Sequence, residues 1–375
     1  MPEARFSVAI EQARKSGRVL LDLTESDPTR CGLGWDPVEL REIEEQHREG
    51  AGVALSEARE AIASYLAGHG ASVPLDRILP ARTRGEALLA LEKLLCQGGD
   101  EVLVPTPQRP GLETLPTVRL RPYELAFEGR WRLDRRSIER ALSPRTRAIL
   151  VGNPADPTGA ELSREELSFL ERLCKSREIA LIGDESYLDS TLDRSTSVAR
   201  VSGCLAFHLS GLSGICGLPA LEGAWIAVVG PAAQSAQAAS RLATLLEVEV
   251  AGSRPGVRLA PPLLGRRGAY LSRLRSRITR NRSTLAAASL REAPWTLQWG
   301  GGIWAVLQVN PVQSEDETCL ALLEEGVAVE PAYLAGFPPQ GFLLISLLPI
   351  PEIFEAALGR LEVQLRGPVS PSALA

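Results

Sequence analysis

Three short segments carry the residues whose types and spacing could do chemistry. They read NPADPTG (153–159), DESY (184–187) and LSGLSGICGLPALEGAW (209–225). The third segment has the small residues, hydroxyls and glycines of a loop that holds a reactive side chain against a cofactor. Every residue in it is nevertheless inert or acidic, so the side chain that such a loop would present is missing. The whole chain has three lysines, Lys15, Lys93 and Lys175.

A series of apolar runs predicts the strands that must position these segments. The runs lie at 100–107, 145–159, 178–187, 204–210 and 224–231. Between the second and third runs, residues 163–177 have helical spacing and begin with a capping box formed by Ser163 and Glu166. Strands separated by helices imply parallel connections and therefore a three-layer α/β domain. In such domains ligands bind in the loops at the carboxyl ends of the strands.

The pattern changes after about residue 255. Residues 263–292 predict one long, arginine-rich helix. Its charges are typical of the solvated face of a connecting helix rather than of a nucleic-acid patch. Short strands and helices follow, which predicts a smaller α+β domain.

The composition argues against several classes of protein. The chain has 375 residues, is 45% hydrophobic and 23% charged, and has a net charge of −5 at pH 7. These values predict a globular protein with a large core and no nucleic-acid partner. With no apolar run of about eighteen residues and no secretion signal, we expect no membrane contact and a cytoplasmic location. The six scattered cysteines lack CxxC spacing, which favours reduced thiols.

The three polar segments, in their order, resemble the class I/II aminotransferases, which are fold type I enzymes that use pyridoxal phosphate. Further segments at 20–29, 85–107, 322–337 and 341–361 also resemble that family. The resemblance therefore covers nearly the whole chain. It implies a three-layer large domain with a mainly parallel sheet, and a smaller α+β domain. We expect the large domain at 45–255, and the small domain at 256–375 joined by the N-terminal segment 1–44.

Carried over residue by residue, the resemblance gives a cofactor pocket that keeps few of its reactive groups. The carboxylate for the pyridine nitrogen falls on Asp184, and the tyrosine for the ring oxygen falls on Tyr187. The amide donor is replaced by Asp156, and the stacking aromatic is replaced by Arg109. The Schiff-base lysine falls on Gly214. The remaining positions of the ancestral pocket are Thr83, Arg84, Gly85, Ser210, Ser213 and Glu222, the last standing where a phosphate-binding base is usual.

These departures predict that no covalent aldimine forms, although pyridoxal phosphate is the ancestral cofactor. The pocket would offer Asp156, Asp184 and Glu222 to a cofactor that is itself anionic, and mispaired buried charge is costly. We expect the Arg109 guanidinium to occupy the place of the ring and to pair with one of these three carboxylates. An alternative is that Arg109 lies on the surface. The carboxylates have no metal-ligand spacing, so no metal site is expected.

Three functions follow from the resemblance. The leading one is a degenerate aminotransferase homologue, a pseudoenzyme that acts as a non-catalytic partner, a regulator or a small-molecule binder. The second is a pyridoxal-phosphate-dependent aminotransferase with an atypical site. The third is a re-purposed enzyme that works without the cofactor. Members of the family are dimers, so we expect a homodimer, or a heterodimer with an active relative.

Overall fold

A computed structural model describes most of the chain. The described residues are 5–46, 51–109, 115, 117–192, 196–248, 255–291, 293–309, 314–338 and 341–366. Within them the strands form three sheets, of eight, four and two strands. The eight-stranded sheet is the one that positions the candidate site.

The eight-stranded sheet is mainly parallel, as predicted. Its strands are β2 (Ile78–Ala81), β3 (Glu101–Thr106), β4 (Arg119–Phe127), β5 (Trp131–Leu133), β6 (Thr146–Gly152), β7 (Ala180–Asp184), β8 (Ala206–Gly211) and β9 (Ala224–Val229). They are ordered β2-β9-β8-β7-β6-β3-β4-β5. The central strands β4, β3, β6, β7 and β8 pair in parallel, whereas β9 runs antiparallel to both of its neighbours. The carboxyl ends of the parallel strands therefore meet at one edge.

The chain begins with two helices that pack against later helices: α1 (Arg5–Lys15) contacts the helix Glu315–Glu324, and α2 (Pro37–Gln46) contacts the helix Pro255–Arg266. The helices that cover both faces of this sheet are α3 (Ala51–Gly68), α4 (Arg84–Leu95), α5 (Arg135–Ala141), α6 (Arg164–Arg177), α7 (Leu212–Ile215) and α8 (Ala232–Leu245). Strand β9 shows the layering, because Trp225 and Ala227 belong to one core cluster and Ile226 and Val228 belong to the other. Alternate residues of a strand point to opposite faces, so both faces are buried, as three layers require.

A second region follows the large sheet. It contains α9 (Pro255–Arg266), α10 (Gly268–Ser289), β10 (Trp295–Gln298), β11 (Trp304–Val309), α11 (Glu315–Glu324), β12 (Val327–Ala328), β13 (Glu330–Pro331), β14 (Phe342–Ser346) and α12 (Pro351–Arg366). The order β10-β11-β14-β13 makes an antiparallel sheet. Strand β1 (Leu21–Asp22) pairs in parallel with β12. This pairing supports joining the N-terminal segment to the small domain, and the predicted domain boundaries stay a prediction.

The local predictions held for the large sheet and failed for the long helix. All five predicted strands are present, and Ser163 and Glu166 form the predicted capping box. Residues 263–292 are not one helix, because α9 ends at Arg266 and α10 begins at Gly268. Glycine weakens a helix interior, so Gly268 favours a break there. Helix α9 begins earlier than predicted and accommodates two internal prolines.

Candidate functional site

The carboxyl ends of β3, β6, β7 and β8 border a cavity of about 320 Å³. Ten of the eleven positions assigned to the ancestral pocket line it, namely Thr83, Arg84, Arg109, Asp156, Asp184, Tyr187, Ser210, Ser213, Gly214 and Glu222. The eleventh, Gly85, lies in the first turn of α4 and is not part of the lining. The sequence thus predicted which residues the fold brings together, although it did not predict how they pair.

Asp184 is held by an arginine of the neighbouring helix. It is the last residue of β7, and Arg84 is the first residue of α4, which Thr83 caps by accepting a hydrogen bond from the Glu86 amide at 3.1 Å. The Arg84 Nε donates to Asp184 Oδ2, and the Ser186 hydroxyl donates to Asp184 Oδ1 at 2.7 Å. The charge of Asp184 raises the pKa of Arg84. This carboxylate already has a cationic partner within the chain.

Arg109 forms a second and larger cluster. Its Nε donates to Asp156 Oδ1 at 3.1 Å, and its Nη1 and Nη2 donate to the two oxygens of Glu330 at 2.6 and 2.9 Å. The guanidinium carbon also lies 4.1 Å from the centre of the Trp304 ring. Burial raises the pKa of the Asp156 carboxyl, and Arg109 opposes that rise. The cluster joins the large sheet to the antiparallel sheet, since Glu330 lies in β13 and Trp304 lies in β11.

The expectation that Arg109 pairs with Asp156, Asp184 or Glu222 is met at Asp156. Arg109 is not a surface residue and pairs with Asp156, whereas Asp184 pairs with Arg84. Glu222 has a different partner, Arg82, at 3.4 Å, and both of these side chains are more than half exposed. Sequence reasoning missed Glu330 altogether. A lone carboxylate within the apolar run GVAVEP was the available signal, because a buried charge requires a partner.

Gly214 lies in α7, the single short turn that follows β8. A Cβ atom built at Gly214 would collide with the carbonyl oxygen of Ser186 and lie 2.9 Å from the carbonyl carbon. No side chain fits at this position unless the main chain moves. None of the three lysines of the chain lines the cavity. The site as described therefore offers no amine.

The charged side chains of the site all have ion-pair partners, whereas some of its hydroxyl groups have no hydrogen-bond partner among the described residues. Ser210 donates to the main-chain oxygen of Glu185 at 3.1 Å. The hydroxyls of Tyr187 and Ser213 have no hydrogen-bond partner in the part of the chain that the structure describes. Burial raises the pKa of Tyr187 to about 12, and the carboxylates Asp156 and Asp184 add to the rise. The phenol therefore stays protonated and can donate a hydrogen bond.

Behind the cavity, Glu185 fixes the two loops that carry the site carboxylates. It accepts from Asn153 Nδ2 at 2.8 Å and from the Ser197 hydroxyl at 2.5 Å, and His208 Nδ1 lies 2.8 Å from its Oε2. Glu185 and His208 are fully buried. Although burial acts to raise the pKa of Glu185, His208 and the hydrogen bonds lower it overall. This network positions residues and does not reach the cavity.

Two kinds of feature are absent from the described residues. No cluster of three or more histidine, cysteine, aspartate or glutamate side chains is arranged to hold a metal ion among them. No helix within the same residues is both long and apolar enough to cross a membrane.

Comparison with known proteins gives a consistent result. The family model described as aminotransferase class I and II matches residues 39–357. The alanine aminotransferase of Mycobacterium tuberculosis (strain H37Rv) is 26% identical over 292 residues, which are 73% of this chain and 67% of that protein. A Bacillus subtilis (strain 168) protein named as a probable N-acetyl-LL-diaminopimelate aminotransferase is 36% identical over 114 residues. That match spans 29% of this chain and only 28% of the Bacillus protein.

The solved structure of an alanine aminotransferase from Pyrococcus furiosus resembles the whole fold. Its TM-score is 0.85, and the superposition covers 97% of this chain and 96% of that one at 21% sequence identity. At that identity the likeness demonstrates the fold, a fold type I aminotransferase architecture, and leaves the activity open.

Proposed function

This chain belongs to the class I and II aminotransferase family, and we propose that it has lost transamination and uses its pocket to bind a small molecule. The observation that carries the proposal is Gly214. Transamination in this family needs a lysine amine that forms a Schiff base with the cofactor and moves a proton. The position has no side chain, the main chain of Ser186 is packed against it, and the cavity is lined by no lysine.

The residues present do not fit pyridoxal phosphate. A ring nitrogen would have to compete with Arg84 for Asp184. The ring oxygen would face the Asp156 carboxylate, which cannot donate a hydrogen bond when ionised. The phosphate would lie near the Glu222 carboxylate, and the neighbouring Arg82 is already paired with that carboxylate at 3.4 Å. The anionic cofactor would therefore either lie beside these carboxylates or draw an arginine away from its partner, and both are costly in a partly buried site.

The cavity supports a binding role. Its volume of about 320 Å³ is at the lower end of the range, about 300 to 1,000 Å³, that small-molecule sites occupy. It lies at the carboxyl ends of parallel strands, where open α/β sheets bind ligands. The Glu185 network and the arginine clusters hold its walls in place. A rigid, preformed pocket binds a ligand without ordering its own side chains.

Incubation with pyridoxal phosphate tests the loss of transamination. We expect no visible absorption band of a protein-bound Schiff base, and no amino-group transfer from alanine to a keto acid. The Mycobacterium tuberculosis alanine aminotransferase serves as the positive control. Gly214→Lys is expected not to restore either signal, because the main chain of Ser186 leaves no space for its Cβ atom. A Schiff-base band or turnover by the unaltered protein would falsify the proposal.

The state of association and the location in the cell stay predictions. We propose a dimer, either of this chain alone or with an active relative, because members of the family are dimeric. Sedimentation of the purified protein, alone and mixed with such a relative, tests this. A monomer under both conditions contradicts it.

A further inference from the structure

We propose that the ligand of this site is an uncharged small molecule that carries a hydroxyl or amide group and an apolar body, and that it spans two adjoining cavities. The inference rests on the proposed function, because it concerns a pocket that works without the cofactor. It goes beyond that function in naming the chemistry of the ligand.

The charged side chains of the larger cavity already have partners within the chain. Its lining contains six charged residues, Arg82, Arg84, Arg109, Asp156, Asp184 and Glu222. All six are paired, and Arg109 also holds Glu330. A ligand with a net charge must therefore either break one of these pairs or be buried without a counterion. Both are unfavourable at the part-buried Arg84–Asp184 and Arg109–Asp156 pairs, whereas a neutral ligand leaves every pair intact.

A smaller cavity of about 160 Å³ adjoins the larger one. The two share the wall residues Tyr187, Ser213, Gly214 and Pro219. No charged residue lines the smaller cavity, whose wall includes Leu274, Ile303, Leu348 and Tyr270. An apolar group fits this environment, and an ion does not.

Several hydroxyl groups that line the two cavities remain available for hydrogen bonds to a ligand. The hydroxyls of Tyr187, Ser213, Tyr270 and Ser26 line one or both cavities and have no partner among the described residues. Burial raises the pKa of the Tyr187 and Tyr270 phenols, so both remain neutral donors. Free neutral donors and acceptors at the junction, with apolar walls beyond, match an uncharged ligand that is polar at one end.

Three probes with the same body and different charge test the proposal. They are 3-phenylpropan-1-ol, 3-phenylpropanoate and 3-phenylpropylamine, titrated against the full chain by ligand-observed NMR. The alcohol is expected to bind at least about tenfold more tightly than either ion. Each ion must either break an existing ion pair of the pocket or bind without a counterion. Failure of the alcohol to bind, or equal binding by either ion, overturns the proposal.

Two variants locate the binding. Tyr187→Phe removes one hydroxyl and should weaken the alcohol about three- to tenfold, as expected for one lost hydrogen bond. Ser213→Leu fills the junction from an exposed position and should abolish binding. Ser240→Ala, an exposed hydroxyl on α8, is the control and should bind like the unaltered protein. Unchanged affinity in both site variants overturns the proposal.

The outcome can be separated from that of the proposed function. Transamination is measured with pyridoxal phosphate and alanine, in the absence of the three probes. If the protein shows no transamination with the cofactor but binds an ionic probe more tightly than the alcohol, the proposed function stands and the neutral-ligand proposal is wrong. If the protein forms a Schiff base with the cofactor, the proposed loss of transamination is itself wrong.

Discussion

Arg109 is the side chain whose replacement gives the sharpest test of how this site is held together. Its guanidinium makes three hydrogen bonds to the carboxylates of Asp156 and Glu330 and lies over the Trp304 ring. Arg109→Gln removes the positive charge and keeps a polar side chain of moderate size. The two carboxylates then face each other with no cation between them.

The expected loss of stability is about 3 kcal/mol. Removing one partner of a buried ion pair costs about 3–5 kcal/mol. That figure must be reduced here, because the Arg109 and Asp156 side chains are 25% and 32% exposed and water relieves part of the cost. The lost contact with Trp304 adds about 0.5–1 kcal/mol. Since the cluster joins the two sheets, the loss should appear in global unfolding.

The loss of stability caused by Arg109→Gln should become smaller as the pH is lowered. Burial raises the pKa of Asp156 in the folded protein, and Glu330 adds to the rise while Arg109 opposes it. Without Arg109 this pKa rises further above its unfolded value. The folded variant therefore binds a proton more readily than the unfolded chain does, and its stability falls as pH rises through that pKa. The deficit relative to the unaltered protein should shrink as pH is lowered.

Urea unfolding followed by tryptophan fluorescence measures both effects. The matched control is Arg135→Gln, because Arg135 also pairs with a carboxylate, Glu165 at 2.7 Å, and lies 5.1 Å from the Phe169 ring. That pair is exposed, so the control should lose no more than about 1 kcal/mol. A loss for Arg109→Gln as small as that of the control, at every pH, would refute the account of the Arg109 cluster.

Three further predictions concern the frame of the site. Gly159→Ala should cost more than about 3 kcal/mol in thermal or urea unfolding, since Gly159 has a φ of +68° and its Cβ would collide with the Gly301 oxygen; a variant of normal stability contradicts this. Burial acts to raise the pKa of Glu185, yet its hydrogen bonds lower it, so its stabilisation is lost as pH falls below 4.5. Glu185→Gln should therefore lose about 3 kcal/mol at pH 7 and progressively less in acid, and an equal loss at both would count against the network. Burial raises the pKa of the Cys31 and Cys216 thiols to about 12, so a disulfide reagent should label them only after unfolding, and rapid labelling of the native protein would show the burial to be wrong.

The sequence predicted the frame of the molecule well because the frame depends on local pattern. Apolar runs closed by prolines and glycines located the five strands, and the capping box located α6. The ordered motifs then brought ten dispersed positions to one cavity. The prediction of one long helix was wrong, because it did not take account of Gly268 at the break between α9 and α10.

The pairing inside the site was beyond sequence reasoning for a physical reason. Three arginines and four carboxylates allow many pairings, and only the directions of the side chains decide among them. Arg109 was expected near Asp156, Asp184 or Glu222, yet its best geometry is with Glu330, which is distant in sequence and contributed by the other sheet. The clash at Gly214 likewise depends on the position of the Ser186 main chain, which no local pattern reveals.

The charge balance of the pocket bears on the proposed loss of cofactor binding. Replacement of a lysine alone would leave the other cofactor contacts ready for a phosphate and a ring. Here Asp184, Asp156 and Glu222 each have an arginine of the same chain within 4 Å. Because an anionic ligand gains little from cations that are already neutralised, such pairing supports the proposal that the pocket does not bind the cofactor. The charged side chains that line the pocket thus have partners within the chain, and this is the condition under which the proposed neutral ligand would have the advantage.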